Sequence, residues 1–538
     1  MRVSRLTVVA ALVAAGLLVV PLSASAQDDR ERERLREATE TFDYTPNLRP
    51  IGFSARPVPL DNFRPRSGNF NSDLAFWGET AVQGTYGGFR MIDISDPSDP
   101  EEIIDWEDCA SPTNTVGNQG DVIVWGRRGS DRPELVIRSW NSPTPAPREN
   151  FNNPASPEIP AGNPLRLTQP GAFCGDWPMF RVPGTETHPV TPPATDRGQE
   201  GVHVIDISDP EEPEVVAFVD LPCGSHTETL MPDVSNGRLL VYSNPSSGTI
   251  FGGTEPGAEP VHCNGFDVVE VPLDNPEDAF RLRFESTGMP GEEDPEMLHP
   301  CHDTGVILGS VDLVACAGGS GPTVWSTKRR DGGSKEDPML LYHKDLGTGI
   351  GHSASFSWDG EVLIFGHEPG GGSQARCQAT STELERTLFF LDAEDGDVEA
   401  RFIHPRPQTA VENCTWHNYN TVPSRRRDVL VSGNYQSGIS VIDFTDEDSP
   451  EEIAYADPAP LVDPNPPVGI ELGGDWSSYW YDGRIYESDI LRGLLIWRLR
   501  DEAVRGAVNL GRLNPQTQET DRDGLRGNRF PPPDNDDD

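Results

Sequence analysis

"GFRMIDISDPSDPEEI" (88–103) has two near-copies in the chain, "GVHVIDISDPEEPEVV" (201–216) and "GISVIDFTDEDSPEEI" (438–453). Each opens on Gly, runs through alternating apolar residues to Ile-Asp, turns through a polar connector, and resumes as a second short strand. Alternation over about six residues is the pattern of a half-buried strand. Asp-Pro in the first two connectors ends the strand and starts a turn. Each segment therefore reads as a hairpin. The recurring Asp93, Asp206 and Asp443 read as turn residues that bond backbone amides.

Two more strands precede each hairpin, as in "DLAFWGE" and "TAVQGTY" before Gly88, or "HNYNTVPS" and "DVLVSGNY" before Gly438. Four short antiparallel strands make one unit. Seven units are expected, with first strands starting near Asn71, Gln119, His226, His302, His352, His417 and Trp476. A lone four-stranded sheet cannot bury both faces, and stacking the units radially gives each face a neighbour. The expected fold is all-β, a seven-bladed β-propeller of four-stranded antiparallel blades. Two segments compete to close the ring: "EAVRGAV" after Asp501, or "IGFSARPV" at Ile51.

The boundaries follow. Arg2 and Arg5, an apolar run from Leu6 to about Val20, and Ala24-Ser25-Ala26 read as a secretory signal peptide over 1–26. Residues 27–46 are charged and expected to be flexible or a frayed helix. The propeller is expected over 47–512, with a long loop insertion at about 141–199. An acidic tail over 513–538, ending in "PPPDNDDD", is expected to be disordered.

The chain has 43 Lys and Arg against 87 Asp and Glu, a net charge of −44. Such a surface repels nucleic acid and anionic lipid, which excludes both as partners. No segment after the leader is apolar enough to span a membrane. The expected location is secreted, extracellular or cell-envelope, and the expected state is a monomer. Eight Cys in an exported chain read first as disulfides, with near-neighbour pairing expected among Cys109, Cys174, Cys223, Cys263, Cys301, Cys316, Cys377 and Cys414.

"MIDIS", "VIDIS" and "VIDFT" resemble the LVIVD-repeat signature. "CGSHTETLMPD" (223–233), "CHDTGV" (301–306), "GHSASFSWDG" (351–360), "ENCTWHNYN" (412–420) and "GGDWSSYWYDGRIYESDILRG" (473–493) resemble a secreted bacterial branch of that family. The resemblance runs from Asp73 to Leu499. It implies a seven-bladed propeller and export, and no particular activity.

Four of the seven first strands carry His at one repeat position: His226, His302, His352 and His417. The innermost strand of a blade lines the channel, so four imidazoles are expected near one channel mouth. The turn "GHEPGGGS" adds His367 and Glu368 on that face, and the seventh blade's turn adds Glu487 and Asp489. Neutral imidazoles with nearby carboxylates are what Zn, Cu, Fe or Mn sites use. The candidate ligands are His226, His302, His352 and His417. Glu368 is the candidate acid/base, and Asp303 or Glu412 could orient the rings. The competing reading gives the rings a structural role, hydrogen-bonding strand ends within each blade.

Two functions of different class follow. The first is a binding or scaffold propeller that presents a loop-rich face to an extracellular protein, glycan or small molecule. The second is a metal-dependent enzyme, oxidoreductase or hydrolase, built on the histidine cluster. G-x-S-x-G is absent, and "GGGS" lacks the Lys and helix of a phosphate loop.

Overall fold

A computed structural model describes residues 24–58, 70–107, 120–127, 129–140, 179–180, 188–189, 201–221, 223–245, 249–251, 260–287, 301–309, 311–424, 426–461 and 472–520, some by backbone alone. Residues 1–23 of the expected leader, most of the 141–199 insertion, Cys109, Cys174 and the residues beyond 520 lie outside the described residues.

The first and last blades show the plan. In blade 1, Asn71–Trp77, Thr80–Thr85, Gly88–Asp93 and Glu101–Trp106 pair in sequence order, from fully buried inside to half exposed outside. Blade 7 is Asp475–Tyr481, Arg484–Asp489 and Gly493–Leu499, and its fourth strand is Leu48–Ala55 from the other end of the chain. The first strands of blades 2 to 6 are Val122–Trp125, Thr227–Asp233, Cys301–Leu308, Gly351–Phe356 and Asn418–Thr421. Each of the seven touches the next, and the last touches the first, so the described blades close a ring.

The sequence explains this packing. Gly88 opens a third strand where a Cβ would stand 1.7 Å from the Trp106 carbonyl oxygen, and Gly438 repeats this at 2.0 Å from that of Ala456. A side chain at either position would push the fourth strand away. The Ile-Asp endings behave as expected: Asp93, Asp206 and Asp443 each accept a backbone N–H two residues on. Apolar clusters lie between blades. Leu74 and Phe76 of blade 1 pack with Tyr479, Tyr481 and Tyr486 of blade 7, and Leu363 and Phe365 of blade 5 pack with Ala315 and Val324 of blade 4.

The N-terminal end follows one of the alternatives expected for it, and the C-terminal end departs from expectation. Ring closure falls to the N-terminal candidate, "IGFSARPV", rather than "EAVRGAV". Residues 27–46 are not simply flexible: Ala24–Thr39 is a helix, Leu35, Ala38 and Phe42 pack against the core of blades 6 and 7, and Asp43–Tyr44 pairs with the outer strand of blade 6. The expected disorder from residue 513 does not hold for 513–520. Arg512–Leu513 pairs with blade 1 and Thr517–Glu519 pairs in parallel with blade 4. Composition predicted disorder because the segment is polar, but beyond the buried Leu513 it is held by hydrogen bonds to the blades rather than by apolar burial.

Three disulfides join cysteines adjacent in chain order: Cys223–Cys263, Cys301–Cys316 and Cys377–Cys414. No helix among the described residues is long and apolar enough to cross a membrane.

Candidate metal centre in the channel

Three of the four histidines stand at irregularities of their first strands, whereas His417 directly precedes a strand that pairs without a break, Asn418 opposite Gly433. In blade 4, Cys301 opposes Gly318 and Asp303 opposes Ala317, so His302 is an extra residue with no partner. His352 is extra in the same way between Gly351 and Ser353, and so is Trp476 in blade 7. In blade 3, His226 N–H donates to the carbonyl of Asn244, the residue that already pairs with Thr227. A β-bulge breaks strict alternation and re-aims a side chain. Successive residues such as His302 and Asp303 therefore line one cavity of about 380 Å³, which His417 and Asn418 line as well.

The rings form an arc. Centroids lie 4.5 Å apart from His226 to His302, 3.9 Å from His302 to His352, and 4.1 Å from His352 to His417. His226 Nε2 and His302 Nε2 are 3.0 Å apart. Glu368 reaches in from the second-strand turn of blade 5, with Oε2 4.0 Å from His352 Nε2 and Oε1 3.8 Å from His417 Nε2. Donor atoms of His302, His352 and Glu368 all lie within 4.8 Å of one another.

Burial holds all four rings neutral: His226 is pushed down to about 4 and His417 to about 3, while His302 and His352 fall well below the usual imidazole value. Two tautomers follow from the partners. His417 Nδ1 is 2.5 Å from the Trp476 carbonyl, which can only accept, so Nδ1 carries the proton and Nε2 keeps its lone pair. His352 Nδ1 is 2.8 Å from Ser353 Oγ, whose own proton goes to Asn418 Oδ1, so His352 Nε2 is also a free base. These contacts orient the rings, a role expected for Asp303 or Glu412. Asp303 instead accepts Thr304 N–H and the Gln516 amide, and Glu412 accepts Thr409 N–H.

Tyr435 is a member the sequence reading missed. Its hydroxyl lies 2.7 Å from Glu368 Oε1 and 2.8 Å from His417 Nε2. Two acceptors around one hydroxyl require a second proton. Burial supplies the reason for it, because the Glu368 carboxyl is pushed up to about 7. Tyr435 comes from the blade 6 turn equivalent to the one that carries Glu368 in blade 5, so aligning "GNYQSG" with "GHEPGG" would have found it.

The cavity floor is acidic. Asp73 and Asp121 are buried and hydrogen-bonded to each other, and burial raises both carboxyls. Tyr479 donates to Asp73 Oδ1 at 2.6 Å, and Glu228 N–H donates to Asp121 Oδ2 at 2.6 Å. Asp303 joins them on the cavity wall, pushed up to about 7 by burial. Other candidates lie elsewhere. His367 bonds the Leu384 carbonyl, Glu487 bonds the Trp497 indole, and Asp489 pairs with Arg492. Cys377, His404 and Cys414 are also close together, but the two sulfurs are joined to each other.

The family model for the LVIVD repeat matches residues 82–107, which cover most of the outer three strands of blade 1. Among solved structures, the β-propeller domain of Myceliophteria thermophila Cps50 (Swd1) aligns with 83% of this chain and 100% of that chain, at 11% identity and a TM-score of 0.42. No curated protein matches the chain. The chain is a β-propeller repeat protein that carries an LVIVD repeat.

Proposed function

We propose that the cavity holds a transition-metal ion on His226, His302, His352 and His417 with Glu368 beside them, and that the propeller is a metal-dependent enzyme acting on a small molecule. The supporting observation is the 3.0 Å between His226 Nε2 and His302 Nε2. Two imidazoles bonded to one ion at about 2.0–2.1 Å each put their nitrogens about 2.9–3.4 Å apart. An N–H···N bond also fits that one pair. It does not account for His302, His352 and Glu368 donors gathered within 4.8 Å. Neutral nitrogen donors favour Zn, Cu or Fe over Ca or Mg.

A bound ion would supply Lewis acidity and an activated water or oxygen ligand, making the enzyme a hydrolase or an oxidoreductase according to the ion. The protein's part is positional. Trp476 and the Ser353 hydroxyl fix the rings, Tyr435 fixes Glu368, and Glu368 can hold or release a proton beside the histidines. Trp476, Ile350 and Pro245 give the wall apolar surface, and Asp73, Asp121 and Asp303 present hydrogen-bonding groups from below. Presentation of a loop-rich face to a protein or glycan is the second reading. Residues 108–119, 141–178 and 288–300, which that reading draws on, lie outside the described residues.

Elemental analysis of protein exported and purified without chelator tests the proposal. Near-stoichiometric Zn, Cu, Fe or Mn is expected, and it should vanish in His226→Ala/His302→Ala. No metal in either protein, with the variant merely less stable, would leave the rings as structural residues.

A further inference from the structure

The end of the channel away from the histidines is filled by the chain's own residues 512–520. Arg512–Leu513 pairs with Phe76 and Trp77 of blade 1. The Asn514 side chain then closes two bonds on one residue of blade 2: Oδ1 accepts Val124 N–H at 2.7 Å and Nδ2 donates to the Val124 carbonyl at 2.8 Å. Thr517 Oγ1 donates to the Leu230 carbonyl of blade 3 at 2.6 Å. Thr517–Glu519 lies parallel along Val306–Leu308 of blade 4. Gln518 repeats the two-point contact on blade 5, with Oε1 accepting Phe356 N–H at 2.9 Å and Nε2 donating to the Phe356 carbonyl at 2.9 Å. Thr520 N–H and Oγ1 both donate to the Leu308 carbonyl.

These contacts have one logic. The inner edge of each first strand presents backbone N–H and C=O groups that no neighbouring strand in the blade can pair. An extended peptide meets them by strand addition, and amide side chains four residues apart mimic a strand on the blades it cannot run along. Residues 514–520, "NPQTQET", offer amides, hydroxyls and one carboxylate, and no large apolar side chain except Pro515. The apolar anchors, Leu510 and Leu513, precede the segment. A core strand that leaves exposes apolar surface to water. This one exposes groups that water can satisfy.

We propose that the far mouth of the channel is a peptide-binding site whose resident ligand is residues 514–520, and that release of this ligand opens a second entrance to the histidine cavity. Gln516 makes the connection. It lines that cavity, and its amide lies 3.4 Å from Asp303 Oδ2. The peptide site stands on the hydrogen bonds alone, while the readout of the entrance also rests on the metal reading.

The test uses the chain ended after Leu513, checked for folding by circular dichroism, and a synthetic peptide of residues 514–520. Saturable one-to-one binding is expected, weakened at least tenfold by Asn514→Ala/Gln518→Ala in the peptide. A folded truncated chain that binds no peptide at millimolar concentration overturns the site. If truncation prevents folding, a protease site at the exposed Arg505–Gly506 turn allows the segment to be cut after folding. A segment that then survives denaturant up to global unfolding overturns release. For the entrance, the truncated chain is loaded with Co²⁺ and stripped by a chelator. Faster stripping, slowed again by added peptide, is expected. An unchanged rate overturns the entrance. Failure to hold Co²⁺ in the full-length chain refutes the metal reading and with it the cavity's role as that entrance's destination, while the peptide titration still decides the site.

Discussion

At the histidine end of the channel, Cys223, Cys301 and Cys414 stand three, one and three residues before His226, His302 and His417, each in a disulfide. At the far end, among the described residues, amides, hydroxyls and an Arg512–Glu519 ion pair hold the filling segment without a disulfide. The same propeller strands supply both ends. What differs is how each end is fixed. The histidine end uses bulges and cross-links that keep ring geometry in place before any ligand arrives. The far end uses side chains that trade readily with water. The comparison separates a site built to hold geometry from one built to be occupied.

The largest expected effect separates the ends by mutation. His352→Gln should lower Co²⁺ affinity by about 100-fold or more, because it removes a donor from the most compact part of the cluster. It should leave affinity for the 514–520 peptide within about twofold. Asn514→Ala/Gln518→Ala in the full chain should leave Co²⁺ affinity within about twofold and let added 514–520 peptide displace the weakened resident segment more readily, since such bonds are worth about 0.5–1.5 kcal/mol each and none touches a ring. Parallel Co²⁺ and peptide titrations on both variants decide it. If His352→Gln weakens both ligands equally, the two ends are one cooperative unit and the contrast fails.

Breaking a cross-link should come next. Cys377 and Cys414 are 37 residues apart, and closing a loop of that length stabilises by about 3–4 kcal/mol on the chain-entropy estimate. Cys377→Ser/Cys414→Ser should lower stability by that order in urea unfolding. It should also weaken Co²⁺ binding, because the loop carrying Glu368 leads to Cys377. Normal Co²⁺ affinity in a destabilised variant would mean that the disulfide serves the fold alone.

A finer cut lies inside that loop. Gly370, Gly371 and Gly372 all have positive φ. A Cβ at Gly372 would meet the Tyr435 hydroxyl at 2.4 Å and Glu368 Oε1 at 2.6 Å, whereas one at Gly371 meets nothing within 4 Å. Both Ala variants carry a left-handed backbone cost of about 1–2 kcal/mol. Gly372→Ala alone should also disturb the Glu368–Tyr435–His417 contacts and reduce Co²⁺ affinity. Equal Co²⁺ binding by the two variants would remove Glu368 from the site.

The blades were legible because their signal is periodic. Gly, alternating apolar residues and Ile-Asp recur in the third strands of blades 1, 2 and 6, and the steric need at Gly88 and Gly438 is the same each time. The four histidines were legible as a repeated column. What re-aims His302 and His352, one extra residue in the strand, has no sequence mark, because a bulge shows only against its partner strand. Asp73 and Asp121 escaped for that reason: without the register, their place beside Asp303 on the cavity wall could not be counted. Gln516 escaped more completely. A polar segment before an acidic terminus reads as disordered on composition, and only the unpaired inner edges of several separate blades give it a place.

The smallest expected effect concerns acid. His404 packs against Trp416 behind the histidine end, and its Nε2 lies 3.1 Å from Ser437 Oγ. Burial, with Arg406 adding to it, pushes its ring down to about 3. The unfolded ring titrates near 6.5, so the unfolded state binds the proton that the folded state refuses. Stability from this residue is therefore fully present above about pH 6.5 and is lost as pH falls toward 3, at up to about 1.4 kcal/mol per pH unit. The buried rings of the cluster act in the same direction, so His404 must be isolated by difference. Between pH 7 and pH 5.5, the stability advantage of the parent over His404→Gln in urea unfolding should shrink by about 1 kcal/mol. Asp303, which accepts the Gln516 amide and is pushed up to about 7 by burial, titrates in that range, so the comparison uses a 514–520 peptide carrying Gln516→Ala. The amides and hydroxyls that remain do not titrate, and its affinity for folded protein ended after Leu513 should stay level. Peptide affinity that falls in step with the His404-dependent loss would mean that acid reaches the far end through the fold, and that the two ends are less separate than their bonding suggests.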